Sequence, residues 1–230
     1  MKKLSTALIA LSLLAACGKP AEPPATTVAA TPPTVTVKAP AGTYKLDPYH
    51  SSLSFSVLHV GLAPYVARFT KTDATLELDP ANLSASKVSA TIDPTSVRTD
   101  FSGDYKATHK DSPYSSFDQR LAQEDKFFNA GQFAQISFES TAVNVSSPDR
   151  LKVTGNLSFL GQTHPVTLDV AVTGSMAEHP WTKAGAVGFS ASTTFSRAAF
   201  GMAGMAGALG DAVTIQFNGE FHQVVPPHLE

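Results

Sequence analysis

The sequence predicts an all-β fold, a closed barrel of eight antiparallel strands with one long crossover that contains a short helix. Three observations carry the prediction. Apolar residues recur at every second position through most of the chain from Gly42 onward, the period of a strand with one buried face. The alternating runs are joined by short turn sequences, which suit antiparallel neighbours. One irregular stretch, Pro94 to Ala134, interrupts them. Closure is favoured over an open sheet because it removes edges that would otherwise pair with other chains.

The opening run, DPYHSSLSFSVLHVGL from Asp47 to Leu62, predicts a strand from about Ser51 to Val60. Leu53, Phe55, Val57 and His59 share one face, and Ser52, Ser54 and Ser56 begin the other. A second strand is predicted from Phe69 to Leu78 in ARFTKTDATLEL, ended by the turn residues Asp79-Pro80-Ala81-Asn82. KVSATID gives a third, with Val88, Ala90 and Ile92 on one side. In the crossover, SSFDQRLAQEDKFF carries a helix start, since Ser115 stands three residues before Asp118 and Phe117 and Leu121 share a face.

Alternation then resumes. Ile136, Phe138 and Ser140 lead a fourth strand toward Val145, turned by Ser147-Pro148-Asp149. Leu151 to Phe159, Val166 to Val172, Val187 to Phe195 and Val213 to Phe221 give the fifth to eighth. A barrel of eight strands is either just filled by its side chains or holds one small ligand, as in lipocalin-like architectures. Its inward positions mix large residues (Phe55, Phe138, Phe159, Phe189) with small ones (Ala90, Gly155, Ala191, Gly219), a mixture compatible with a lumen or with interlocked packing.

Ahead of the barrel, Lys2 and Lys3 precede an apolar run from Leu4 to Leu14, too short for the roughly 20 residues that span a bilayer. It reads as an export signal. Its ending, Leu14-Ala15-Ala16-Cys17, resembles the lipobox of bacterial lipoproteins, whose cysteine is lipidated and becomes the mature N-terminus. Gly18 follows where inner-membrane lipoproteins typically have Asp, which points to the outer membrane. The expected organisation is a signal segment over residues 1–17 cleaved before Cys17, a disordered Pro/Ala/Thr linker over 18–41, the barrel domain over 42–224 and a tail over 225–230. In the polyproline conformation, at about 3.1 Å per residue, the linker reaches on the order of 70 Å. The expected location is the periplasm, anchored to the outer membrane through lipidated Cys17.

Several functions are disfavoured. A formal net charge of −2 recruits no nucleic acid, and a single cysteine excludes an intramolecular disulfide and any cysteine-cluster metal site. Seven histidines include no His-x-His or His-x-x-x-His pair, so local metal-ligand spacing is absent. His50 and His59, nine residues apart, point to opposite faces of an unbroken strand. His50 is expected to bond the turn backbone beside Asp47. There is no Gly-x-Ser-x-Gly elbow, and Asp47, Asp73, Asp93 and Glu139 read as solvated carboxylates. GMAGMAGALG spaces Gly201, Gly204, Gly207 and Gly210 by three, which is neither a P-loop nor a dinucleotide fingerprint. It reads as a mobile loop whose Met202, Met205 and Leu209 form an apolar lip. No catalysis and no cofactor are expected.

Five stretches, DPYHSSLSFSVLHVGL, ARFTKTDATLELDP, FFNAGQFAQISFEST, VTGNLSFLGQTHPVTLDV and GFSASTTFSRAAFGM followed by GDAVTI, resemble in their order the YceI-like domains. The resemblance implies an extended lipocalin-like barrel whose tunnel takes up a polyisoprenoid chain in an exported bacterial protein. Two features depart from the family pattern: Ala134 stands where proline is usual, and Gln119-Arg120-Leu121-Ala122 replaces a charged His-Leu-containing stretch. The ligand expected is an isoprenoid or quinone-like lipid. The lipid-binding candidates are Phe55, Val57, His59, Phe69, Phe138, Leu157, Phe159, Phe189, Phe195 and Met202, with Arg68 and Arg120 as headgroup contacts. A homodimer is a further expectation. Two alternatives stand beside this reading: an enzyme using a histidine base on a hydrophobic substrate, and an interaction module with a filled barrel.

Overall fold

The computed structural model describes residues 36–225. The signal segment, Cys17, the linker as far as residue 35 and residues 226–230 lie outside the described residues. Ten strands form one antiparallel sheet: β1 (Gly42–His59), β2 (Ala63–Phe69), β3 (Thr72–Leu78), β4 (Lys87–Ile92), β5 (Val97–Arg98), β6 (Ile136–Ser147), β7 (Arg150–Phe159), β8 (Gln162–Met176), β9 (Ala186–Ser196) and β10 (Leu209–Gln223). Eight of them make a ring in the order β1-β3-β4-β6-β7-β8-β9-β10, and pairing of β10 with β1 closes it. The predicted closed eight-stranded antiparallel barrel is therefore the fold observed. The crossover between β5 and β6 holds two short helices, α1 (Tyr105–Thr108) and α2 (Phe117–Gln123).

Four boundaries differ from the sequence reading, each for a local reason. The strand expected from Phe69 to Leu78 is two strands. Ala67 and Phe69 are buried before the break and Ala74, Leu76 and Leu78 after it, so the inward positions change parity and the chain must slip. Thr70 and Lys71 absorb the slip. Their amides donate to the backbone carbonyl and Oγ of buried Ser96, both at 3.1 Å. β1 is long enough to serve both pieces, pairing with β3 over Gly42–Lys45 and with β2 over Leu53–His59.

β1 itself starts at Gly42 rather than near Ser51, because Tyr44 and Leu46 are buried and pair with Gln223 and Phe221. The surplus residues Asp47–His50 leave the ladder as an outward bulge. The N-cap of α2 is Ser116, whose Oγ accepts the Gln119 amide at 3.0 Å, and not Ser115. Asp118 turns away to accept the Thr99 amide and hydroxyl at 2.8 and 2.7 Å, tying α2 to β5.

The linker expected to run to Ala41 ends earlier. Ala39 is 1% exposed, Val37 packs on the core, the Lys38 amide donates to Ser175 Oγ at 2.8 Å, and Tyr44 Oη donates to the Pro40 carbonyl at 2.6 Å. Residues 36–41 are thus part of the packed domain.

At the other end of the barrel β7 and β8 join through Leu160 and Gly161. Both take positive φ, 50° and 73°, the conformation of a two-residue hairpin turn matched to strand twist. Inside, Gly155 is fixed by a close approach: a Cβ there would lie 2.4 Å from Phe138 Cζ and 2.5 Å from the Glu139 carbonyl oxygen. Gly155→Ala is expected to cost about 1–3 kcal/mol as overpacking. In a domain of this size that lowers Tm by about 2–4 °C per kcal/mol. Gly174→Ala, where nothing lies within 4 Å of the added atom, is the control expected to leave Tm almost unmoved.

Candidate functional site: the barrel lumen

The inward residues do not fill the barrel. A cavity of about 530 Å³ runs through it, within the range of about 300–1,000 Å³ usual for ligand sites. Every ring strand contributes an apolar side chain to its wall: Leu53, Leu76, Ala90, Phe138, Leu157, Val166, Phe189 and Ile215, in ring members β1, β3, β4, β6, β7, β8, β9 and β10. Large and small residues do interlock in places, Phe138 against Gly155 and Phe217 against Gly219, yet the packing leaves this space open. Phe55, Phe69, Phe128, Phe159 and Phe200 form a chain of tilted and edge-on rings with centroids 5.2–6.0 Å apart. Such contacts hold the rings in place while Phe55, Phe69, Phe128 and Phe159 line the cavity.

Polar lining groups other than Thr72, Ser192 and Thr193 gather toward the ends. His59, Tyr65, Arg120 and Arg197 lie at the end bearing the β1–β2 turn and the glycine-rich run, and Ser86 and Lys87 at the other. Within the wall, Thr72 Oγ1 is buried with no hydrogen-bond partner among the described residues. The glycine-rich run is fastened rather than free. Arg197, 4% exposed, donates from Nε to the Gly210 carbonyl at 2.8 Å and from Nη1 to those of Met202 and Gly204 at 2.5 and 2.7 Å. Its Nη2 reaches the Leu209 carbonyl at 3.1 Å. The expected mobile lip is thus gathered around one buried guanidinium.

A scan against family models matches residues 44–221 to the YceI-like domain. The chain belongs to the YceI-like domain family. The match begins at Tyr44 and ends at Phe221, two buried residues at the same end of the β1–β10 ladder that closes the barrel. A UPF0312 protein of Shewanella oneidensis is 32% identical over 153 residues, covering 66% of this chain and 72% of that protein. Protein YceI of Salmonella arizonae is 33% identical over 148 residues, covering 64% and 69%. Among solved structures, Burkholderia cenocepacia BcnA superposes with a TM-score of 0.63 at 22% identity, covering 76% of this chain and 98% of that one. A polyisoprenoid-binding domain from Saccharophagus degradans gives 0.57 at 14%, covering 79% and 98%. At those identities the two structures speak to the fold alone.

In this YceI-like barrel Phe55, Val57, His59, Phe69, Phe138, Leu157, Phe159, Phe189, Phe195 and Met202 all line the lumen. Arg68 does not, which corrects its assignment as a headgroup contact. It follows inward Ala67 and precedes inward Phe69, so it projects outward, where Nε and Nη2 each bind the Asp100 carboxylate at 2.9 Å. The His59 ring makes no hydrogen bond among the described residues, so no carboxylate orients it as a base. His50 Nδ1 meets the Asp47 carboxylate at 2.7 Å instead of the turn backbone. Cys17 lies outside the described residues.

Arg120 lines the lumen with its charge already engaged. Nε donates to Glu124 Oε2 at 2.6 Å, and the guanidinium lies 5.6 Å from the centre of the Phe127 ring. Burial pushes the Glu124 carboxyl upward. The hydrogen bond and charge of Arg120, helped by Lys126, outweigh that and hold it below the usual carboxylate range. A carboxylate with a depressed folded pKa stabilises above its unfolded value and ceases to as pH falls through the folded one. Thermal melts should therefore separate the native chain from Glu124→Gln at pH 7, and the two curves should converge below the ordinary Glu value near pH 4.5.

Besides Arg120, four apolar lining residues come from the irregular crossover: Phe117, Leu121, Phe127 and Phe128. The paired phenylalanines are the signal that could have found them, since two adjacent large apolar residues in a segment without periodicity need something to cover.

Proposed function

We propose that this YceI-like chain binds a polyisoprenoid or similar long apolar lipid inside its barrel, as a carrier, scavenger or store. We further propose that it is exported and held at the outer membrane by lipid on Cys17. One observation carries the ligand reading: a cavity of about 530 Å³ walled by apolar side chains from all eight ring strands. A chain-like lipid burying about 400 Å² there gains about 10 kcal/mol at 25 cal/mol per Å² before the cost of ordering it is subtracted. β10 alone has 15 residues, about 50 Å of chain at 3.4 Å per residue, so even tilted in the barrel it provides an elongated wall that suits a long ligand. Family membership supports the same reading, and the similar Saccharophagus degradans domain is described as polyisoprenoid-binding.

Solvent extraction of gently purified protein, followed by mass spectrometry, tests the ligand. A long apolar lipid in near-stoichiometric amount is expected. A barrel that is empty and takes up no added polyprenol overturns the proposal. Anchoring is tested separately by labelled palmitate, whose incorporation should vanish in Cys17→Ser and whose persistence there refutes the tether.

A further inference from the structure

The DPYH stretch that opens the barrel sequence is not used by the lumen. In the β1–β10 ladder Leu46 faces Phe221 and Ser51 faces Gly219, so four residues of β1, Asp47 to His50, stand against the single residue Glu220. The surplus chain bulges into solvent, with Tyr49 90% exposed, and folds Asp47 and His50 over Glu220. Asp47 Oδ1 accepts the Tyr49 amide at 2.8 Å, which sets the turn, while Oδ2 meets His50 Nδ1 at 2.7 Å. Because Phe221 is buried, Glu220 and His222 both face outward, with His222 Nε2 3.6 Å from Glu220 Oε2.

The loop between β8 and β9 brings a third segment to the same place. Its His179 ring lies 4.7 Å from that of His222, centre to centre. Two backbone bonds brace it there, His179 N to the Ala184 carbonyl at 2.7 Å and Lys183 N to the His179 carbonyl at 2.9 Å. One donor atom each from His179, Glu220 and His222 lies within 4.8 Å of the other two, and Glu220 stands in the same relation to Asp47 and His50. The ligand spacing absent along the sequence is thus assembled across β1, β10 and a loop.

Mutual hydrogen bonding does not account for this cluster. His222 Nε2 is screened from water, yet has no hydrogen-bond partner among the described residues, and the 3.6 Å to Glu220 is too long for one. A screened imidazole nitrogen, a second imidazole and a carboxylate are the donor set of late first-row divalent ions. Magnesium and calcium prefer oxygen alone. The Asp47–His50 pair adds the carboxylate-bound imidazole that commonly accompanies such ions.

We propose that His179, Glu220 and His222 bind a divalent transition-metal ion of the zinc type, with the Asp47-held His50 beside them. The site is on the outer face, at the end of β10 remote from the glycine-rich run. An ion there staples the β1 bulge, β10 and the β8–β9 loop together.

Isothermal titration of chelator-treated protein with zinc chloride is the test. One equivalent should bind, and Tm should rise with zinc but not with magnesium chloride at the same concentration. His222→Gln should weaken binding by more than the roughly 10–100-fold that loss of an outer-shell partner costs. Glu220→Gln, at an exposed position, gives the same readout without disturbing the core. Absence of zinc binding by the native protein overturns the proposal, as does binding that both substitutions leave unchanged.

Discussion

Ala191→Trp is expected to abolish the proposed lipid binding without unfolding the barrel. Ala191 lies on β9 between Val170 of β8 and Phe217 of β10, and its methyl faces the lumen. An indole built there projects into space instead of into packed atoms, so the fold accommodates it more readily than a substitution at Gly155. The ligand has to give up that space. At 25 cal/mol per Å², every 55 Å² or so of apolar contact forfeited costs about 1.4 kcal/mol, a factor of ten in affinity. Extracted lipid should fall at least tenfold while the far-ultraviolet circular dichroism keeps its strand signature. Full lipid occupancy in a folded Ala191→Trp protein places the ligand outside the lumen.

The second large effect is expected at Arg197. Four carbonyls between Met202 and Gly210 converge on its guanidinium, and the backbone adds bonds from Arg197 N to the Asp211 carbonyl and from Met202 N to the Arg197 carbonyl. Arg197→Leu keeps the apolar stem and removes all of the side-chain donors. Hydrogen bonds from a charged donor contribute about 1.5–3 kcal/mol each, but the exposed part of the run recovers water once released. A net loss of about 3 kcal/mol follows, or a Tm lower by about 6–12 °C in a domain of this size. Hydrogen exchange adds a local readout: amides from 201 to 210 should exchange faster than those of β6 and β7. Uniform destabilisation with those amides still protected refutes the fastening role.

Much of the barrel was legible because burial on one face enforces period two. Phe138, Leu157, Phe189 and Phe195 need no information beyond their own strands. What escaped were breaks of phase, and three of them are written in the residues. Inward positions are even at Tyr44 and Leu46 but odd from Leu53, odd at Phe69 but even from Ala74, and even at Phe138 but odd from Val143. These slips correspond to the Asp47–His50 bulge, the division between β2 and β3, and the irregularity between Ser140 and Ala142. Glycine is absent from all three, and Pro48 read as the turn ahead of a strand starting near Ser51 rather than as a bulge within a longer one. The divided second strand also depends on Ser96, more than twenty residues away, whose bonds to Thr70 and Lys71 are tertiary. The crossover's share of the lumen was hidden for a different reason. Phe127 and Phe128 follow no period, and only the assembled wall shows what they face. Arg68 was misplaced by its residue type, although its neighbours Ala67 and Phe69 already decided its direction.

The wall of this barrel is not the same kind of material all the way round. Where α2 and Phe128 complete it, Asp118 ties the helix to Thr99, and Phe128 meets Phe55, Phe69 and Phe159 through ring contacts alone. Elsewhere the wall is stitched by ladders of backbone hydrogen bonds, and parting any two ring strands means breaking a row of them together. Moving the helical panel breaks no such row. The wall of the barrel is therefore woven everywhere except at this panel, and a long flexible guest entering sideways there would have no strand ladder to part.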